Sequence, residues 1–143
     1  MKTAQSTAVR AFLLVCCLLA ATACDEDTPT GPTVPLNQRF VLAPGGVAVV
    51  ADTNISLLFV DVTGDSRCPA DAVCIQGGDA TVHMRILDSG ETTGYELHTG
   101  DSRRASFTHR NLRVELRELQ PYPFSSRTID PSDYRATLVA SRP

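Results

Sequence analysis

Five cysteines and three histidines carry much of the reactive side-chain chemistry in this chain. The thiols at Cys16, Cys17, Cys24, Cys68 and Cys74 could act as nucleophiles, metal ligands or disulfide partners. The imidazoles of His83, His98 and His109 could move protons or bind a metal. Spacing narrows these choices. Cys68 and Cys74 stand too far apart for a Cys-x-x-Cys redox pair, and zinc would need two further ligands nearby. The three histidines fall on different segments and read as surface residues. Asp61, Asp65, Asp71 and Asp79 flank the cysteine pair, but they do not follow calcium-loop spacing and read as solvated turn acids. No Gly-x-Ser-x-Gly elbow, His-Glu-x-x-His pair or phosphate-binding glycine loop is present. These residues predict no catalytic constellation, no metal site and no cofactor.

The first 23 residues read as a secretory signal peptide. Lys2 and Arg10 give it a positive start, and Phe12 to Ala23 form an apolar run. As a helix that run is about 18 Å long, too short for a hydrocarbon core of about 30 Å. It is therefore expected to be cleaved rather than to span the membrane. The stretch Leu18-Leu19-Ala20-Ala21-Thr22-Ala23-Cys24 resembles the lipobox of bacterial lipoproteins. That resemblance implies cleavage before Cys24, a diacylglycerol on its thiol and palmitate-type acylation of the new amino terminus. The lipobox usually has Leu where this chain has Ala21. Ala21-Thr22-Ala23 also fits ordinary signal peptidase, which would leave a plain secreted protein with a free thiol at Cys24. If the leader goes and Cys24 takes the lipid, one even pair remains. Cys68 and Cys74 are then expected to form a disulfide in an oxidising compartment.

Residues 24–36 contain Asp25, Glu26 and Asp27, followed by Pro, Thr and Gly. So polar a stretch predicts a flexible spacer between the anchor and a folded domain at 37–143. Asp25 after the Cys resembles an inner-membrane retention signal of some enteric bacteria, which leaves the choice of membrane open. The chain has net charge −3, and removing Lys2 and Arg10 with the leader leaves 11 basic against 16 acidic residues. That balance argues against nucleic acid, which needs a basic surplus to neutralise phosphates.

The domain reads as strands. Ala80 to Ile86, Leu112 to Arg117 and Tyr134 to Val139 alternate apolar and polar residues with period two. Val47 to Ala51 and Ile55 to Val62 are more continuously apolar, as central strands are. Tyr95 to His98 and Ala105 to Thr108 are shorter candidates. Turn residues fall between these runs, and Asp130-Pro131 marks one short helical turn. The expected fold is all-β: an antiparallel β-sandwich of immunoglobulin-like size with seven or eight short strands. A small β-barrel is the alternative.

The most distinctive stretch is Gly64 to Gly78, which holds the cysteine pair between two strong strands. Asp65-Ser66-Arg67-Cys68-Pro69, Cys74 with a following Gly, Leu119-Gln120-Pro121-Tyr122-Pro123 and Asp133-Tyr134-Arg135-Ala136 are together similar to a recurring domain of uncharacterised bacterial lipoproteins. The resemblance covers most of the chain and implies location and fold, but no activity. A stapled loop would present Arg67, Asp71 and Gln76 as a binding surface, and the aromatic segment Pro121 to Phe124 is a second contact candidate. Thr92-Thr93-Gly94-Tyr95 resembles one loop of chagasin-like cysteine-protease inhibitors, without their other two motifs. Arg103, Arg104, Arg110, Arg113 and Arg117 form a basic stripe that could pair with Glu115 and Glu118 across a sheet.

The expectation is a non-catalytic binding module, held in the bacterial cell envelope by lipid on Cys24, with an envelope protein or glycan as partner. A purely structural lipoprotein is the second reading. A small secreted protease inhibitor or hydrolase is the third.

Overall fold

The computed structural model describes residues 30–143. The signal peptide, Cys24 and the start of the spacer lie outside the described residues. Nine strands form two sheets around one core. They are β1 (Thr33–Val34), β2 (Arg39–Leu42), β3 (Val47–Val50), β4 (Ile55–Thr63), β5 (Thr81–Asp88), β6 (Glu91–His98), β7 (Ser106–His109), β8 (Leu112–Gln120) and β9 (Arg135–Ser141). The first sheet has the order β1-β3-β4-β5-β6 and the second β2-β9-β8-β7. All pairings are antiparallel except β1 with β3. The two ladders are separate and each sheet keeps two edges, so the chain is a sandwich and not a closed barrel.

Alternation in the sequence becomes burial in the fold. β5 turns Val82, Met84 and Ile86 into the core and β9 turns in Ala136, Leu138 and Ala140. β4, the middle strand of its sheet, adds Leu57 and Phe59. β8 needs a bulge. Leu116 and Leu119 are both buried although an odd spacing separates them, and a register shift between Leu116 and Glu118 reconciles the two. β5 and β6 are joined by Ser89-Gly90, both at positive φ (53° and 83°), as a tight two-residue hairpin requires.

The strand count exceeds the expected seven or eight because the sheet begins earlier than residue 37. Thr33 and Val34, assigned to the spacer, pair with Val49 and Val50. The amide of Val49 donates to Pro32 O (3.0 Å) and that of Ala51 to Val34 O (2.9 Å). Gly31 lies so close to β3 that a Cβ there would stand 2.2 Å from Val47 O. A two-residue strand in a Pro-rich run has no periodicity to betray it. The helical turn at Pro131–Asp133 is present as one 3-10 turn, with Asp130 Oδ1 accepting from the Ser132 amide.

Candidate functional site

β4 runs into the stapled loop, which returns to β5. Its base is closed by Ser66 and Asp79. The Ser66 amide donates to Asp79 O (2.7 Å) and the Asp79 amide donates to Ser66 Oγ (3.1 Å). Gly78 is pressed against this clasp, and a Cβ there would fall 1.5 Å from Ser66 O. Cys68 and Cys74 form a disulfide with their Cα atoms 6.0 Å apart. The ring they close is too small to bury its own side chains, and Val73 and Ile75 are fully exposed.

Arg67 does not sit where the sequence reading placed it. It is only 8% exposed. Its guanidinium forks onto Asp65, with Nε to Oδ1 at 2.9 Å and Nη2 to Oδ2 at 2.7 Å. It also donates to Leu119 O (2.6 Å) and Pro121 O (2.9 Å). Tyr134 completes the cluster, its hydroxyl donating to Asp65 Oδ2 (2.9 Å). Arg67 is thus an internal clamp, its guanidinium committed to Asp65 and two backbone carbonyls. Burial pushes the Asp65 carboxyl up, but the hydrogen bonds from Arg67 and Tyr134 outweigh it and hold the pKa below its ordinary value. Burial and the bond to that carboxylate push Tyr134 up to about 12.

The clamp brings the two contact candidates together. Besides Arg67 to Pro121, the Ala70 amide donates to Pro123 O (2.9 Å). Asp71 Oδ1 accepts from the Ser125 amide (2.9 Å) and hydroxyl (3.1 Å), which lowers the Asp71 pKa. Loop and aromatic segment therefore form one surface. The ring face of Tyr122 (52% exposed) meets the guanidinium of Arg67 at 5.4 Å, and that of Phe124 (40% exposed) meets Arg127 at 5.2 Å. A groove of about 550 Å³ opens beside them, lined among others by Tyr122, Phe124, Arg127, Ile129, Asp133 and Arg135. Of the predicted binding residues, Asp71 and Gln76 stay exposed in the loop. Sequence reasoning missed Arg127 and Ile129. It also missed the exposure of Val73 and Ile75, whose signal was their place on either side of Cys74 in so short a stapled loop.

The histidines are engaged elsewhere. His98 is buried, not at the surface, because Asp79 and Arg104 close over it at the end of β6. Its Nδ1 stands 2.6 Å from Asp79 Oδ2, and Arg104 meets its Nε2. Arginine only donates, so Nε2 accepts and Nδ1 carries the proton. Burial raises the Asp79 pKa, but hydrogen bonds from His98 and the Gly100 amide bring it down to about 2. His109 bridges the sheets, with Nε2 3.1 Å from Asp88 Oδ2 and Nδ1 3.0 Å from the Tyr95 hydroxyl. The Ser89 hydroxyl and then His109 lower the Asp88 pKa.

His83 lies on the outer face of the first sheet, in a trough of about 590 Å³ over Gly94. Its Nε2 is 2.8 Å from Thr63 Oγ1 and its Nδ1 3.7 Å from Glu96 Oε1. The order is hydroxyl, imidazole, carboxylate. The amides of β5 are committed to ladders on both sides, so that strand contributes no oxyanion donor.

The remaining predicted features do not assemble. Thr92 to Tyr95 lie within β6, paired along its length with β5, and form no inhibitor-like loop. The basic stripe is divided. Arg117 pairs with Glu115 along its own strand (3.1 Å), Arg103 with Asp101 (3.4 Å) and Arg110 with Asp88 (3.0 Å). Among the described residues no group of three or more His, Cys, Asp or Glu could hold a metal ion, and no helix is long and apolar enough to cross a membrane.

No protein family, curated protein or solved structure matches this chain. The fold and its site define an all-β sandwich with a disulfide-stapled loop clamped to an aromatic segment.

Proposed function

We propose that this chain is a lipid-anchored, extracytoplasmic module of the bacterial cell envelope that binds a protein partner without catalysis. One observation carries the reading. Two segments far apart in sequence are bonded into one surface that leaves Tyr122 and Phe124 open beside a groove. Exposed aromatics with flanking arginines, on a rigid support, are what protein contacts favour. Arg67 supports that surface from below, and Asp71 borders it through its bonds to Ser125. Cys24 would carry the lipid.

The test is cross-linking of the tagged protein in its own envelope, compared with Tyr122→Ser/Phe124→Ser. The expected result is one protein partner that disappears in the variant while the melting temperature is unchanged. Identical cross-links in both forms, or none in either, would favour the purely structural reading.

A further inference from the structure

We propose that the tip of the stapled loop is a lipid-contact element, with Val73 and Ile75 entering the membrane interface beside the anchor. The inference rests on the lipid at Cys24 and adds the surface on which the domain stands. Topology supplies the first argument. The chain enters the sandwich alongside the Val47 end of β3, where Gly31 packs on Val47 and Thr33 pairs with Val49. β3 is antiparallel to β4, with Val47 opposite Leu58. Beyond Leu58, β4 continues to Thr63 and then into the loop. The entering chain and the loop therefore share one end of the sandwich.

Lengths supply the second argument. Thr30 is the first described residue, and the six residues from Cys24 to Pro29 span at most about 20 Å when fully extended. From Leu58 to Thr63, β4 extends about 17 Å towards the same end before the loop begins. The loop thus reaches as far as the spacer does. A spacer any less extended would press it onto the surface that holds the lipid.

Chemistry supplies the third. Val73 and Ile75 are fully exposed, uncommon for two large apolar side chains so close together. The loop's acids are mostly engaged: Asp65 by Arg67 and Tyr134, Asp79 by His98, and Asp71 by Ser125. From Ala72 to Gly78 the loop carries no charge. The groove is lined by other residues, so lipid contact at the tip does not use it.

The chain contains no tryptophan, which makes the test direct. Ile75→Trp puts the sole tryptophan, excited selectively over the three tyrosines, at the tip, and Glu91→Trp puts one at the opposite end of β5 and β6. Each full-length variant, matured in its host, is reconstituted into vesicles of phosphatidylethanolamine and phosphatidylglycerol with brominated acyl chains. Intact mass first establishes the lipid on Cys24. With the lipid present, the expected result is a blue-shifted, strongly quenched emission at position 75 and unquenched emission at position 91. Lipid present and position 75 unquenched overturns the loop contact alone. An unlipidated Cys24 overturns the anchor, and the loop contact with it.

Discussion

Arg67→Ala is the sharpest test of the clamp. The substitution removes two hydrogen bonds to the Asp65 carboxylate and the bonds to Leu119 O and Pro121 O. Asp65, whose side chain is 11% exposed, keeps only the Tyr134 hydroxyl and the residue 67 amide. Breaking a buried ion pair from one side costs about 3–5 kcal/mol, and the two surviving donors place this case near about 3 kcal/mol. For a domain of this size that lowers the melting temperature by roughly 12 °C. Arg67→Lys keeps the charge but loses the fork and should lie between the two. Urea unfolding followed by far-ultraviolet circular dichroism measures both variants. An unchanged midpoint for Arg67→Ala would refute the clamp and return Arg67 to the surface role its position in a loop suggests.

Other consequences follow from the same surface. Gly78→Ala should destabilise the domain by at least about 2 kcal/mol in the same assay, because the added Cβ meets Ser66 O. Cys68→Ser/Cys74→Ser should cost about 2 kcal/mol, the loop-closure value for so short a ring, and adding reductant to the wild type should reproduce it. Asp79 has its pKa lowered from 3.8 to about 2, so its contribution is complete above about pH 4 and lost as pH falls towards 2. Melting temperature should drop across that window, and Asp79→Asn should be less stable at neutral pH with a flatter acid profile.

Much of the fold was legible because strand alternation is a local signal. Ala80 to Ile86 and Leu112 to Arg117 declare their inner faces residue by residue, and the structure buries those faces. β6 was legible only in its second half. Its first residues, Glu91 to Gly94, are polar because an edge strand meets solvent there. The site was less legible because its bonds are non-local. Arg67 looks like a loop residue until Tyr134 and the carbonyls of Leu119 and Pro121 are brought to it. One clamp joins Asp65-Ser66-Arg67 to Asp133-Tyr134, which gives both sequence motifs a physical role. His98 is illegible for the same reason. A histidine at a strand end looks solvated unless its carboxylate partner, Asp79, is seen across the sheet.

The proposed function depends most on how the chain is held, and intact-mass spectrometry of the mature protein from its native host tests this directly. The predicted result is a chain beginning at Cys24 that carries a diacylglycerol on its thiol, with Cys68 and Cys74 oxidised. A mature chain with an unmodified Cys24 thiol, or one that begins at another residue, would contradict it.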